Sequence, residues 1–256
     1  MESASQELNW IKNELPKQQW LQACKQRSEL VPLQYILGTQ PFGHLEIKCR
    51  KNVLIPRWET EEWSHLLVEL VKNIKNLKVL DVCTGTGCIP LLMADLIPHF
   101  NFKGIDISQD ALDLALENKS SLGISNVEFV KGDVFDGNIL GGTNFDLITA
   151  NPPYVTEKSY YSKDTEESVR IYEPKLALIG DTEFYTALIE NVVKPSGADG
   201  FIFELAEENQ VQTTKKLLNS NWKVTTFTDS NGKLRCVFGY KVGSQMQILE
   251  NLKSLG

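Results

Sequence analysis

Apolar positions change their spacing twice along this chain. Over the first 37 residues they recur at helical intervals, with Leu8, Ile11 and Leu15, then Trp20, Leu21 and Cys24. Pro16 and Pro32 break that pattern. A small helical unit over residues 1–40 is therefore predicted. Gly38, Pro41 and Gly43 are turn signals, and two short extended runs follow, Leu45–Cys49 and Val53–Ile55. With a turn near Lys51-Asn52 these read as a hairpin linking the parts, within residues 41–58. From residue 59 onward, period-2 or continuous apolar runs alternate with helical ones. Strands are predicted at Lys78–Val82, Phe102–Ile107, Val127–Val130, Phe145–Ala150, Gly200–Leu205, Val224–Thr228 and Arg235–Val242. Helices are predicted at Glu59–Lys75, Ile89–Leu96, Gln109–Ser121, Phe184–Val193 and Glu208–Asn219. The expected fold is α/β over residues 59–256: a mostly parallel, Rossmann-like sheet of seven strands, covered on both faces. The short Asp229–Gly232 connection makes the last two strands a hairpin, which brings in an antiparallel strand.

Chemistry-bearing residues fall at the predicted strand ends. The first strand of the sheet runs into Asp81-Val82-Cys83-Thr84-Gly85-Thr86-Gly87, a glycine turn that lets a ligand approach the backbone. Its spacing is not GxGxxG, so a dinucleotide site is the poorer match. Asp106, followed by Ile107, closes the next strand, where an acid commonly accepts from ribose hydroxyls. Asp133, followed by Val134, ends the third and is placed to accept from an adenine amino group. Each aspartate taken singly is equally well a helix cap. In order at successive strand ends, with no phosphate to neutralise, the set points to a nucleoside bearing a cation, S-adenosyl-L-methionine. Asn151-Pro152-Pro153-Tyr154 then follows the apolar run Phe145–Ala150. Two prolines stop the strand there and present an amide, rigid carbonyls and an aromatic face.

Composition narrows the field. Against 26 Lys and Arg stand 33 Asp and Glu, a net charge of −7, so no direct nucleic-acid binding is expected. The five cysteines form no CxxC pair, which fits reduced thiols inside a cell. The three histidines are scattered and make no metal signature. No apolar run is long enough to span a membrane, and the first 17 residues lack a secretory signal or an Arg-rich leader.

Val79–Gly87 with Asp106, Asp133 and Asn151–Tyr154 resembles the class I methyltransferases that N-methylate amides or amines. Further segments are similar to the family that methylates the glutamine of the Gly-Gly-Gln motif in peptide chain release factors. They are Pro32–Gly38, Pro41–Gly43, Val53–Glu61, Tyr172–Leu178, Phe203–Leu205 with Gln210, and Asp229–Gly232 with Arg235. The run Ile55-Pro56-Arg57-Trp58-Glu59-Thr60-Glu61 is far more specific than Asn-Pro-Pro-Tyr, which adenine N6 methyltransferases share. Two positions depart from the family pattern: Cys83 stands where glycine is usual, and Trp58 where proline is usual. A cysteine is compatible with the cofactor loop if its φ is negative. Trp58 is similar to the fungal mitochondrial branch.

The resemblance implies N5-methylation of a release-factor glutamine in translation termination, leaving S-adenosyl-L-homocysteine. Asn151 and the Pro152 carbonyl would accept the two N–H bonds of the substrate amide, and Tyr154 would pack over it or near the sulfonium. The cofactor would rest on Asp81, Cys83, Thr84, Gly85, Thr86, Gly87, Asp106, Ile107, Asp133, Val134 and Asn151. Phe42, Arg57 and Glu61, with Asn151–Tyr154, would border the substrate groove; the simpler alternatives are hairpin packing for Phe42 and surface ion pairing for Arg57 and Glu61. No metal is implied. The helical unit is expected to meet the release factor, the chain to be a monomer, and its compartment to be the mitochondrial matrix, with the cytoplasm as the alternative. Two other readings stand beside this one. An adenine N6 methyltransferase would show a basic groove leading to Asn151, and a catalytically silent binding module would fail to bind the cofactor.

Overall fold

The computed structural model describes residues 4–163 and 165–254. Helices α1 (Ala4–Glu14), α2 (Trp20–Ser28) and α3 (Leu33–Leu37) form the N-terminal unit, around Ile11, Ala23 and Leu33 with Trp10, Trp20 and Leu37 packed on them. Pro16 and Pro32 are the N-caps of the 3₁₀ turn Lys17–Gln19 and of α3, where a missing N–H costs nothing. Leu21, predicted on the apolar face, is 84% exposed. The 3₁₀ turn before α2 sets that helix's phase, so Ala23 rather than Leu21 faces inward.

The hairpin falls earlier than the sequence suggested. Strand β1 (Thr39–Phe42) pairs antiparallel with β2 (Leu45–Lys48) across Gly43-His44. Gly43 has φ +62, the left-handed conformation such a two-residue turn needs. Pro41 is tolerated because a two-stranded ribbon has only edge strands. Val53–Ile55 is therefore an irregular segment, pinned where the Ile55 N–H donates to Glu173 Oε2 at 3.2 Å. The hairpin is packed onto the main body: Phe42, Leu45 and Ile47 share a core with the sheet, and Lys48 N–H donates to Asn118 Oδ1 at 2.8 Å.

The large sheet holds β3 (Lys78–Val82), β4 (Asn101–Asp106), β5 (Val127–Lys131), β6 (Leu147–Ala150), β7 (Gly200–Glu204), β8 (Trp222–Thr228) and β9 (Leu234–Lys241). Its order is β5-β4-β3-β6-β7-β9-β8, and every pairing is parallel except the two that β9 makes, with β7 and β8. The expected terminal hairpin is present, with β9 inserted between β7 and β8 rather than at the edge. Helices α4 (Trp58–Val71), α5 (Cys88–Leu96) and α6 (Gln109–Leu122) accompany the first half. After β6 the chain forms two short helices, α7 (Glu157–Tyr160) and α8 (Glu167–Tyr172), and a 3₁₀ turn, Lys175–Ala177. Helix α9 (Thr182–Ala187) passes through a π segment, Leu188–Val193, into α10 (Lys194–Ser196), and α11 (Glu208–Leu217) follows β7. The β3–β6 pair is where strand order reverses, the place an open α/β sheet offers a crevice.

Candidate active site

A cavity opens at the carboxyl ends of β3, β4, β5 and β6. It holds 1090 Å³ of empty space including its mouth, a size suited to a small-molecule ligand. Its floor is the turn after β3. Cys83 (φ +60), Gly85 (φ +55) and Gly87 (φ +79) all take left-handed backbone there. The expectation of a negative φ at Cys83 is corrected. The turn must swing the Thr84 N–H onto the Ile105 carbonyl at 3.0 Å, and it uses a left-handed residue to do so. At Gly85 a Cβ would meet nothing within 4 Å, so the backbone there is open to a ligand. At Gly87 a Cβ would stand 2.7 Å from Phe129 Cζ, so this glycine serves packing and is not part of the cavity lining.

The acids divide by role. Asp106 lines the cavity and braces the loop, accepting from Gly85 N–H and Ser108 N–H, both at 2.9 Å. Asp133 lines it too and accepts from Phe135 N–H through Oδ1 at 2.9 Å. Asp81 lies beneath the turn, fully buried and outside the lining. Its Oδ1 accepts from the Thr149 hydroxyl at 2.6 Å, while Oδ2 and the Thr84 hydroxyl are without a hydrogen-bond partner among the described residues. Burial above all pushes this carboxyl up to about 7, with the Thr149 hydroxyl opposing the effect and Asp106 adding to it. Burial, and then Asp106, Asp81 and Asp133, hold the Cys83 thiol far above its ordinary range, so it stays a neutral group in the cavity lining.

Opposite the glycine turn stands Asn151, one residue past β6 and part of the cavity wall. Its Nδ2 donates to Thr60 Oγ1 at 3.2 Å. Thr60, on α4, donates in turn to Glu204 Oε2 at 2.6 Å. Glu204 closes β7, is fully buried, and also accepts from Trp63 Nε1 at 2.9 Å and from the Tyr154 hydroxyl at 2.9 Å. Burial raises this carboxyl, and the three donated bonds pull it back. Tyr154 is thus turned to Glu204 and away from the cavity lining. Gln210 holds the same stretch from behind, donating to the Tyr154 carbonyl at 3.0 Å. Gly180 packs so tightly on the Pro153 carbonyl that a Cβ would come within 2.4 Å of it.

The cavity is closed by two segments the sequence did not assign to one structure. Residues 52–57 and 174–177 meet across its mouth, joined by an Arg57 Nη2–Glu173 Oε1 ion pair at 2.6 Å. Arg57 is in the lining; Glu61 is half-buried and outside it. Phe42 is 1% exposed in the main core, so it cannot border a groove, and hairpin packing explains it. Ile107 and Val134 both line the cavity, as do Phe135 and Phe184, which meet edge to face at 5.0 Å. Thr60, Glu204 and Phe184 were not singled out as site residues in the sequence. The charged residues of the lining are Arg57, Asp106 and Asp133, so the groove is not basic. Among the described residues no cluster could hold a metal ion, and no helix is long and apolar enough to cross a membrane.

A seven-stranded sheet of this order, with a glycine-turn cavity at its switch point, is the frame of a methyltransferase, and a methyltransferase-domain family model matches residues 73–250. The N-terminal domain of human METTL16, solved in complex with SAH, superposes with a TM-score of 0.57 at 18% identity, over 86% of this chain and 84% of that one. The chain belongs to the release factor glutamine methyltransferase family. It is 35% identical to the mitochondrial MRF1 N(5)-glutamine methyltransferase MTQ1 of Saccharomyces cerevisiae, over 98% of this chain and 84% of the yeast protein. It is 36% identical to the release factor glutamine methyltransferase of Bacillus subtilis, over 82% and 75% of the two chains.

Proposed function

We propose that this chain transfers a methyl group from S-adenosylmethionine to the N5 atom of the glutamine in a Gly-Gly-Gln loop of a peptide chain release factor. The observation that supports it most directly is Asn151, held at the cavity wall with its Nδ2 already committed to Thr60. Its Oδ1 has no hydrogen-bond partner among the described residues, and neither does the carbonyl of Pro152, which is buried just outside the cavity lining. Two acceptors at one strand end suit the two N–H bonds of a primary carboxamide.

The residues present fit the cofactor. The open backbone at Gly85 admits a ligand, each Asp106 oxygen keeps a lone pair for a ribose hydroxyl, and Asp133 Oδ2 is available to an adenine amino group. Ile107 and Val134 supply apolar contact for a base. The bound cofactor supplies a sulfonium-activated methyl group. What the protein adds is acceptance and alignment. An amide nitrogen is a weak nucleophile because its lone pair is delocalised. Acceptance of both N–H bonds by Asn151 Oδ1 and the Pro152 carbonyl turns that nitrogen toward the cavity and favours the positive charge that grows on it. Fixing it at reacting distance removes much of the entropic barrier. No general base is required, because the alkylated amide nitrogen is strongly acidic and gives its proton to water.

The helical unit and the α7–α8 connection are the surfaces we assign to the folded substrate. They touch: the Tyr172 hydroxyl donates to the Glu29 carbonyl at 2.7 Å. The mitochondrial matrix is the proposed compartment, in keeping with the yeast relative's name, and the acidic, Arg57-paired lining speaks against a nucleic-acid substrate. The test is methyl transfer from labelled cofactor to an organellar-type release factor, its Gly-Gly-Gln→Gly-Gly-Ala variant, and unmethylated DNA and RNA. Label on the wild-type factor alone is expected; label on nucleic acid would replace this reading with the adenine one.

A further inference from the structure

We propose that Thr60 and Glu204 are positioning residues which fix the polarity of the Asn151 carboxamide, so that its oxygen and not its NH₂ faces the methyl-accepting amide. This rests on the role just given to Asn151.

The argument is a count of protons. Trp63 Nε1 carries only a donor, so Glu204 Oε2, 2.9 Å away, must accept there. The Thr60 hydroxyl sits 2.6 Å from the same Oε2, and the Tyr154 hydroxyl 2.9 Å from Oε1. With Trp63, Tyr154 and Thr60 all placed to donate to it, an ionised Glu204 can only accept, and in that state it draws the single Thr60 proton to itself. Thr60 Oγ1 then has nothing but lone pairs to offer Asn151, and only Nδ2 can meet it, as observed at 3.2 Å. Rotating the amide by 180° would set oxygen against oxygen and lose that bond. A primary carboxamide needs an acceptor at this position, whereas an NH₂ group would oppose its N–H. The relay therefore chooses the end of Asn151 that works.

The framework explains why these residues are adjacent. Ala150 pairs with Phe203 in the parallel β6–β7 ladder, so Asn151 and Glu204 leave neighbouring strands at the same level. Helix α4 lays Thr60 and Trp63, three residues apart on one face, against that point. Trp63 and Glu204 are fully buried and outside the cavity lining, while Thr60 is the member that reaches the cavity wall beside Asn151.

The test uses the full-length chain and a release factor as methyl acceptor, with Thr60→Val, Thr60→Ser, Glu204→Gln, Asn151→Ala and the Asn151→Ala/Thr60→Val pair. Cofactor affinity is measured by calorimetry and folding by thermal melts. Thr60→Val is expected to lower kcat about tenfold or more with cofactor Kd within about twofold, and Thr60→Ser to restore kcat to within about threefold. Adding Thr60→Val to Asn151→Ala should cost nothing further, because the group it orients is gone. Glu204→Gln can keep its oxygen toward Thr60 and Trp63, so it should lose less than Thr60→Val. Near-normal kcat in Thr60→Val, a full additional loss in the double variant, or no rescue by serine would overturn the relay while leaving Asn151 as acceptor. Normal turnover in Asn151→Ala would instead overturn the acceptor reading itself.

Discussion

The ends of β3 and β6 sit side by side, with Val82 opposite Ala150, yet they are built from different material. Past β3 the site is backbone. Three alternate turn residues, Cys83, Gly85 and Gly87, take left-handed φ, the main chain lies open at Gly85, and Asp106 uses both oxygens to brace the loop. Past β6 the site is side chain. Asn151, Thr60, Tyr154, Glu204 and Gln210 come from four separate segments and hold one another by hydrogen bonds. A backbone site depends on conformation, so its variants should act on stability and cofactor affinity. A side-chain relay depends on individual atoms, so its variants should act on turnover.

The largest expected effect lies on the side-chain half. Asn151→Ala removes one of the two acceptors proposed for the substrate amide and should lower kcat by about 10²–10³-fold, or about 3–4 kcal/mol. Calorimetry should find cofactor affinity little changed. A comparable loss of cofactor binding would dissolve the division between the two strand ends.

The clasp across the mouth comes next, because it serves both halves. The Glu173 side chain is only 2% exposed and has Arg57 and the Ile55 N–H as partners. Arg57→Met strands that carboxylate. A fully buried pair broken on one side costs about 3–5 kcal/mol; since Arg57 is 28% exposed, about 2–3 kcal/mol is expected. Urea denaturation checks it. A change below about 0.5 kcal/mol would show that the clasp is a surface contact of no consequence.

A third test probes the buried acid under the backbone half. Burial raises Asp81 from 3.8 to about 7, so the folded chain binds its proton more tightly than the unfolded chain does. That contribution to stability is fully present below pH 3.8 and is lost as pH rises through about 7. Between pH 6 and pH 8 the loss should be about 1–2 kcal/mol. Asp81→Asn should abolish this part of the slope. Parallel pH profiles for the two proteins would mean that Asp81 is ionised throughout, held by groups beyond the Thr149 hydroxyl.

The same contrast explains what could be read from the sequence. The seven strands, their mixed direction and the glycine turn were legible because periodicity and strand-end chemistry are local properties. Asp106, Asp133 and Asn151 were legible as residues that end strands. The relay was not, because Thr60 and Glu204 are 144 residues apart and meet only once β6 and β7 are in register. The hairpin was misplaced by one strand: Val53–Ile55 has the composition of a strand but is held by the Glu173 side chain, a long-range partner. Leu21 was misassigned because helix phase is set by the 3₁₀ turn before it, which hydrophobic spacing does not reveal.

Cys83 gives the smallest effect and the sharpest test of a backbone-built site. At φ +60 its Cβ presses on the following carbonyl, a strain of about 1–2 kcal/mol for a residue with a side chain. Glycine relieves it but gives back about 0.5–1 kcal/mol by loosening the unfolded chain. Cys83→Gly should therefore stabilise by about 0.5–1 kcal/mol, raising Tm by about 1–4 °C in a chain of this size. Cys83→Ala is the control: it removes the thiol and keeps the Cβ, so it should bring no gain. If glycine lowers Tm instead, the thiol's packing against the core outweighs the backbone strain. The end of β3 would then depend on a side chain after all, and the contrast with β6 would narrow to one of degree.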